Sequence, residues 1–256
     1  DILKLNINEI KEYQLDEYCE NLLKKEFKAK NVDSLDISIY ENATYQQNLN
    51  KPLNPNLKFN NLYNTILDIG TLEHLFNIPQ ALQNLSKLSK VGGRIIHVLP
   101  SNNQNGHGFW QFSPELFFNI YRPENGFDHT EIYLAEIHDW RNIYKVIKPK
   151  NIERINLTNF KSKELQILVV TTKISNTNNI DIFQEAYLDL WTNKKKIISG
   201  NKFKNKFFNK ENKYFTRIKQ FYKFFTSNNI FCWRLGYNFV KFLIFIEYKT
   251  KRKYPK

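Results

Sequence analysis

Three short stretches of this 256-residue chain hold side chains whose types and spacing can do chemistry: Asp68 with Gly70, the pair Glu73 and His74, and His107 between Gly106 and Gly108. An imidazole between two glycines on a loop is poised for exposure, and an ordinary pKa of about 6.5 suits proton transfer at neutral pH. His107 is therefore the first candidate for a general base; its structural alternative is to cap the helix that follows. Glu73 and His74 open a helical segment, where they serve either as structure or as the lining of a substrate pocket. Phe109 and Trp110 suit the wall of an acceptor pocket, beside the plainer reading of core aromatics. Asp68 ends an apolar run, and Gly70 leaves room beside it for a ligand. His97, in mid-strand, reads as a core or edge histidine, and His129 and His138 fall in no pattern.

These residues need elements that bring them together. Residues 65–70 (TILDIG) read as a buried strand, residues 75–88 as an amphipathic helix with Leu75, Leu82, Leu85 and Leu88 on one side, and residues 94–100 (RIIHVLP) as a second buried strand after Gly92 and Gly93. Strand, helix and strand with short joints make a βαβ unit, hence a parallel pair with a right-handed crossover. Ligands of such sheets sit beyond the carboxyl ends of the strands, so Asp68, Gly70, Glu73, His74 and the loop 101–112 are expected at one rim. Ser113, Pro114 and Glu115 form a helix start, with the serine as cap. Asn125 and Gly126 read as a turn, and 132–137 and 165–172 as strands closing the domain as an antiparallel pair. Before the unit, 2–7, 32–38 and part of 42–49 read as strands and 11–28 as a helix, and 181–191 reads as a further helix.

The chain carries 38 Lys and Arg against 25 Asp and Glu, and the excess is local. Residues 194–256 hold 18 basic and 2 acidic side chains together with 17 aromatics, whereas 1–193 hold 20 basic and 23 acidic. The division expected is a domain over 1–193 and a basic, aromatic-rich helical extension over 194–256, with Phe215, Ile218, Phe221, Phe224 and Phe225 at helical spacing. That extension reads as a hairpin packed on protein or as a surface for an anionic membrane; nucleic acid ranks behind these, because no recognised nucleic-acid motif accompanies it. Two cysteines, Cys19 and Cys232, give no disulfide framework and suit a reducing cytoplasm. No apolar run is long enough to span a bilayer. The absence of methionine implies that Asp1 is not the natural start.

The segments TLEH (71–74), VGG (91–93) and HGFWQFSPELFF (107–118), in this order, resemble S-adenosylmethionine-dependent methyltransferases of the Rossmann-like class, and the last resembles a bacterial subgroup of them. The resemblance covers about residues 30–173. It implies an α/β fold with a mostly parallel sheet and helices on both faces, and methyl transfer to oxygen or nitrogen of a small molecule or a sugar, including a lipid-linked glycan at the inner membrane face. A catalytically degenerate relative that binds or scaffolds is the alternative, and an RNA methyltransferase the third. The resemblance assigns the S-adenosylmethionine site to Asn6, Asp36, Asn48, Asp68 and Gly70. Where the family has a glycine-rich turn, this chain has Asn6-Ile7-Asn8-Glu9, and asparagine is the next best residue for a left-handed backbone. The Glu73, His74 and His107 set is also similar to the metal ligands of small-RNA 2′-O-methyltransferases, with Gly70 where those have a further glutamate.

Overall fold

The computed structural model describes residues 28–57, 63–137, 142–149, 162–177 and 208–210, together with single positions at 20, 21, 23, 24, 155, 157, 160, 180 and 182. The chain divides into two units, Gln46–Lys213 and a second made of Asp1–Tyr45 with Tyr214–Lys256. The segment read as a strand over 2–7 and the helical spacing from Phe215 to Phe225 lie outside the described residues, as do Asn6 and all of the 181–191 helix except Ile182. Of the second unit, β1 (Leu35–Asp36) pairs with the start of β2 (Tyr45–Gln46) in a two-stranded ribbon.

The main unit is built on a six-stranded sheet ordered β3 (Tyr63–Ile69), β4 (Ser89–Asn102), β7 (Leu165–Lys173), β5 (Phe127–Glu136), β6 (Ile143–Val146) and β8 (Phe208–Lys210). Only β3 and β4 run parallel; the other four neighbouring pairs are antiparallel. The sheet is thus mixed, which corrects the expectation of a mostly parallel one. The physical reason lies in the joints. Parallel neighbours need a crossover of a dozen or more residues; among the described residues the β3–β4 connection supplies one with a helix, whereas β5 and β6 are joined by a short link and pair antiparallel. Apolar runs mark burial on both faces and carry no information on strand direction. The expected antiparallel pairing of the strands near 132–137 and 165–172 is present as β5 against β7. Strand β8 adds residues 208–210, from the extension expected to be helical, to the sheet edge.

The core lies along the central strands. In β4, Ile95, Ile96, Val98 and Leu99 are all buried, and in β7 so are Leu165, Ile167, Leu168, Val169 and Val170. Helix α1 (Ile78–Leu88) joins the parallel pair and turns Ile78, Ala81, Leu82, Leu85 and Leu88 inward at helical spacing. It starts later than the leucine pattern suggests, because Pro79 restricts the residue before it and Asn77 caps the end by accepting from Gln80 N. The chain between β3 and α1 forms a separate 3-10 turn, Leu72–His74. Helix α2 (Pro114–Ile120) begins where the Ser-Pro-Glu signal puts it, with Ser113 Oγ accepting from Glu115 N at 3.2 Å. Among the described residues no helix is long and apolar enough to cross a membrane.

Candidate functional site

The β3–β4 pair ends at one rim, and two connections leave from it. After β3, Gly70 takes φ +83°, a left-handed backbone that favours glycine, and the chain enters the Leu72–His74 turn. After β4, residues 103–111 loop out and return to hydrogen-bond the strand end, Phe112 N donating to Pro100 O at 2.8 Å and Ser101 Oγ to Phe112 O at 2.8 Å. That loop is stapled onto the turn. Phe109 N donates to Glu73 O at 2.7 Å, and the Trp110 indole N–H donates to Leu75 O at 2.7 Å. Gly108 is what lets the two backbones meet: a Cβ there would stand 2.8 Å from both Cγ and the main-chain oxygen of Glu73.

The staple brings His107 to Glu73 across 34 residues of sequence. His107 Nε2 lies 3.5 Å from Glu73 Oε1, His74 Nε2 lies 3.9 Å from the same oxygen, and the two imidazole centres are 5.7 Å apart. The imidazoles are partly open, with side-chain exposures of 55% for His74 and 33% for His107, while the Glu73 side chain is 1% exposed. Neither Glu73 carboxyl oxygen has a hydrogen-bond partner. Burial pushes its pKa up to about 7; its own backbone N–H acts the other way without reaching hydrogen-bond geometry, and the negative charge of Asp68 raises it further. A carboxyl group that changes protonation near neutrality beside two imidazoles can take or give a proton. Ser113 is the cap of α2.

Asp68 has a different fate. It faces the core opposite His97 in the β3–β4 register, and both of its oxygens are engaged. Oδ2 accepts from His97 Nδ1 at 2.6 Å, and Oδ1 accepts from Thr71 N and Leu72 N at 3.2 Å each. The Tyr121 phenol, held protonated by burial and then by the charge of Asp68, donates to His97 Nε2 at 2.6 Å. His97 is fully buried, as the core reading of it expects. Tyr121 was not singled out in the sequence, where nothing but its aromatic type marks it.

The remaining expected positions have separate settings. Asp36 Oδ1 accepts from Ser38 N at 2.7 Å, an exposed turn closing on itself in the second unit. Asn48 Oδ1 accepts from Asn50 N at 2.9 Å, again a local turn. Gly70 keeps free space beside Glu73, where a Cβ would sit 3.4 Å from Oε1. Phe109 and Trp110 are exposed, and Phe76, which the sequence reading passed over, joins Trp110 with ring centres 6.2 Å apart. No protein-family model, curated protein or solved structure matches the chain. Of the positions that the resemblance assigns to S-adenosylmethionine, Asp68 is engaged in the core, Asp36 and Asn48 close local turns, and Gly70 stands beside Glu73.

Proposed function

We propose that this chain is a transferase that takes a proton from an oxygen or nitrogen of a small molecule or sugar, and that the group transferred is the methyl of S-adenosylmethionine. The single observation supporting the proton-handling role is the convergence of His107 on Glu73 and His74 at the carboxyl rim of the one parallel strand pair. The methyl donor rests on the sequence resemblance across residues 71–118. When bound, S-adenosylmethionine supplies an electrophilic methyl group. The work of this chain is to hold the acceptor hydroxyl or amine beside His107 Nε2, which accepts its proton while Glu73 stabilises the imidazolium. Phe109, Trp110 and Phe76 are exposed aromatics on the same two connections, suited to a sugar ring or similar body.

Calorimetric titration of the full chain with S-adenosylmethionine tests the donor. Saturable binding is expected, and heat indistinguishable from dilution at millimolar ligand overturns it. A second reading, a relative that binds without transferring, is favoured by one observation: the carboxylate expected to meet the donor, Asp68, is sealed in the core with both oxygens engaged. The basic aromatic extension over 194–256 suits an anionic membrane surface, which would hold the protein at the inner face beside lipid-linked acceptors. Sedimentation with phosphatidylserine vesicles across a salt series checks this, and binding insensitive to salt counts against it.

A further inference from the structure

The geometry points to a site for one divalent transition-metal ion, zinc by the balance of its donors, held by Glu73, His74 and His107. One ligand atom from each residue can be chosen so that all lie within 4.8 Å of one another. Two ligands that are each about 2.0–2.1 Å from a tetrahedral ion stand about 3.4 Å apart. Glu73 Oε1 lies 3.5 Å from His107 Nε2 and 3.9 Å from His74 Nε2, so the metal-free arrangement is within a small side-chain adjustment of coordination.

A second observation is independent of spacing. Of the buried carboxylates among the described residues, Asp68 and Glu136 are satisfied, the latter by Lys163, Asn142 and Tyr144. Glu73 alone has both oxygens without a hydrogen bond, and its only ion-pair partners among the described residues are the two imidazoles. A buried polar group left in this state costs free energy unless something outside the chain completes it. Neighbouring lysine or arginine could have done so; instead the chain puts imidazoles there, which are ligands as well as partners.

Donor chemistry narrows the ion. Two imidazoles with one carboxylate suit zinc and its neighbours, whereas calcium and magnesium sites are built from oxygen. Three protein ligands leave a coordination position open, as in catalytic rather than structural zinc sites. Gly70 supplies the space: where a side chain would approach Glu73 Oε1 there is room for a water or an acceptor oxygen. An acceptor hydroxyl at that position would have its pKa lowered by the ion's Lewis acidity and pass its proton to solvent water, with His107 serving as a ligand and not as the base. The inference stands on the ligand atoms and does not depend on which group the enzyme transfers.

Cobalt titration of the full chain, stripped of metal with a chelator, gives the test. One equivalent of Co²⁺ is expected to produce the intense visible absorption of a four-coordinate ion, and zinc to displace it stoichiometrically. Glu73→Gln and His74→Ala should each weaken uptake by about 100-fold or more, because even partners behind the ligands are worth roughly 10- to 100-fold. The exposed His74 can be removed without disturbing the core, and circular dichroism confirms that both variants are folded. His129→Ala, at an exposed histidine on β5, should change nothing. Absence of the absorption, or uptake unaltered in both ligand variants, overturns the site. Parallel calorimetry with S-adenosylmethionine on the same samples keeps the two ideas separable, since either ligand can fail while the other binds.

Discussion

Asp68 and Glu73 lie five residues apart, each a carboxylate shut away from solvent beside an imidazole, and the structure treats them in opposite ways. Around Asp68 every partner is supplied: an imidazole, two backbone N–H groups and, beyond the imidazole, a phenol. Around Glu73 the imidazoles stand at the edge of reach and half in solvent, and neither oxygen is satisfied. Burial with partners makes a fastening; burial without them makes a group that is ready to change its proton or its company. The same residue types at nearly the same depth thus separate into architecture and reactivity according to hydrogen-bond supply.

The sharpest way to break this contrast is to damage the satisfied cluster. His97→Ala leaves a buried carboxylate and a buried phenol without their shared partner and should cost about 3–5 kcal/mol in urea denaturation. A loss below about 1 kcal/mol would mean that the cluster is not a fastening at all. Next comes Glu73→Gln, measured with chelator present. Because folding raises the Glu73 pKa from 4.5 to about 7, its contribution to stability is fully present below pH 4.5 and declines as pH rises through 7. The glutamine variant should lack that decline and be more stable than the parent at pH 8 by up to about 3 kcal/mol. Equal pH dependence of the two proteins would remove Glu73 from the reactive side of the comparison. Gly108→Ala forces a methyl group against Glu73 and should cost about 1–3 kcal/mol while weakening cobalt uptake. Smallest is Tyr121→Phe, with an expected loss of about 1 kcal/mol and cobalt binding unchanged.

Much of the rim was legible in the sequence for local reasons. Gly70 marked room at the strand end, Gly106 and Gly108 marked a loop exposing His107, Ser113 with Pro114 marked a helix start, and the two apolar runs with a helix between them implied a parallel pair. What could not be read was non-local. Apart from the expected antiparallel pairing of 132–137 with 165–172, strand order depends on which edge the chain returns to, so the place of β7 between β4 and β5 left no trace in its own residues. Asp68 was expected at the rim because it nearly ends its strand, but pleating turns it inward, and only the register of β3 against β4 shows that His97 waits opposite. Tyr121 completes that cluster from a helix end 24 residues further on, a distance over which no sequence period applies. The Glu73 and His107 meeting was anticipated as a shared rim; its closeness is the work of a main-chain bond from Phe109 and an indole bond from Trp110.

Asp68 belongs to both regions, for while one oxygen binds His97 the other gathers the amides of Thr71 and Leu72, the residues that launch the turn carrying Glu73. The aim of the reactive carboxyl is therefore set from below. An inhibitor or a substitution that loosened the imidazole would mute the surface chemistry from the interior, with every outward-facing side chain still in place.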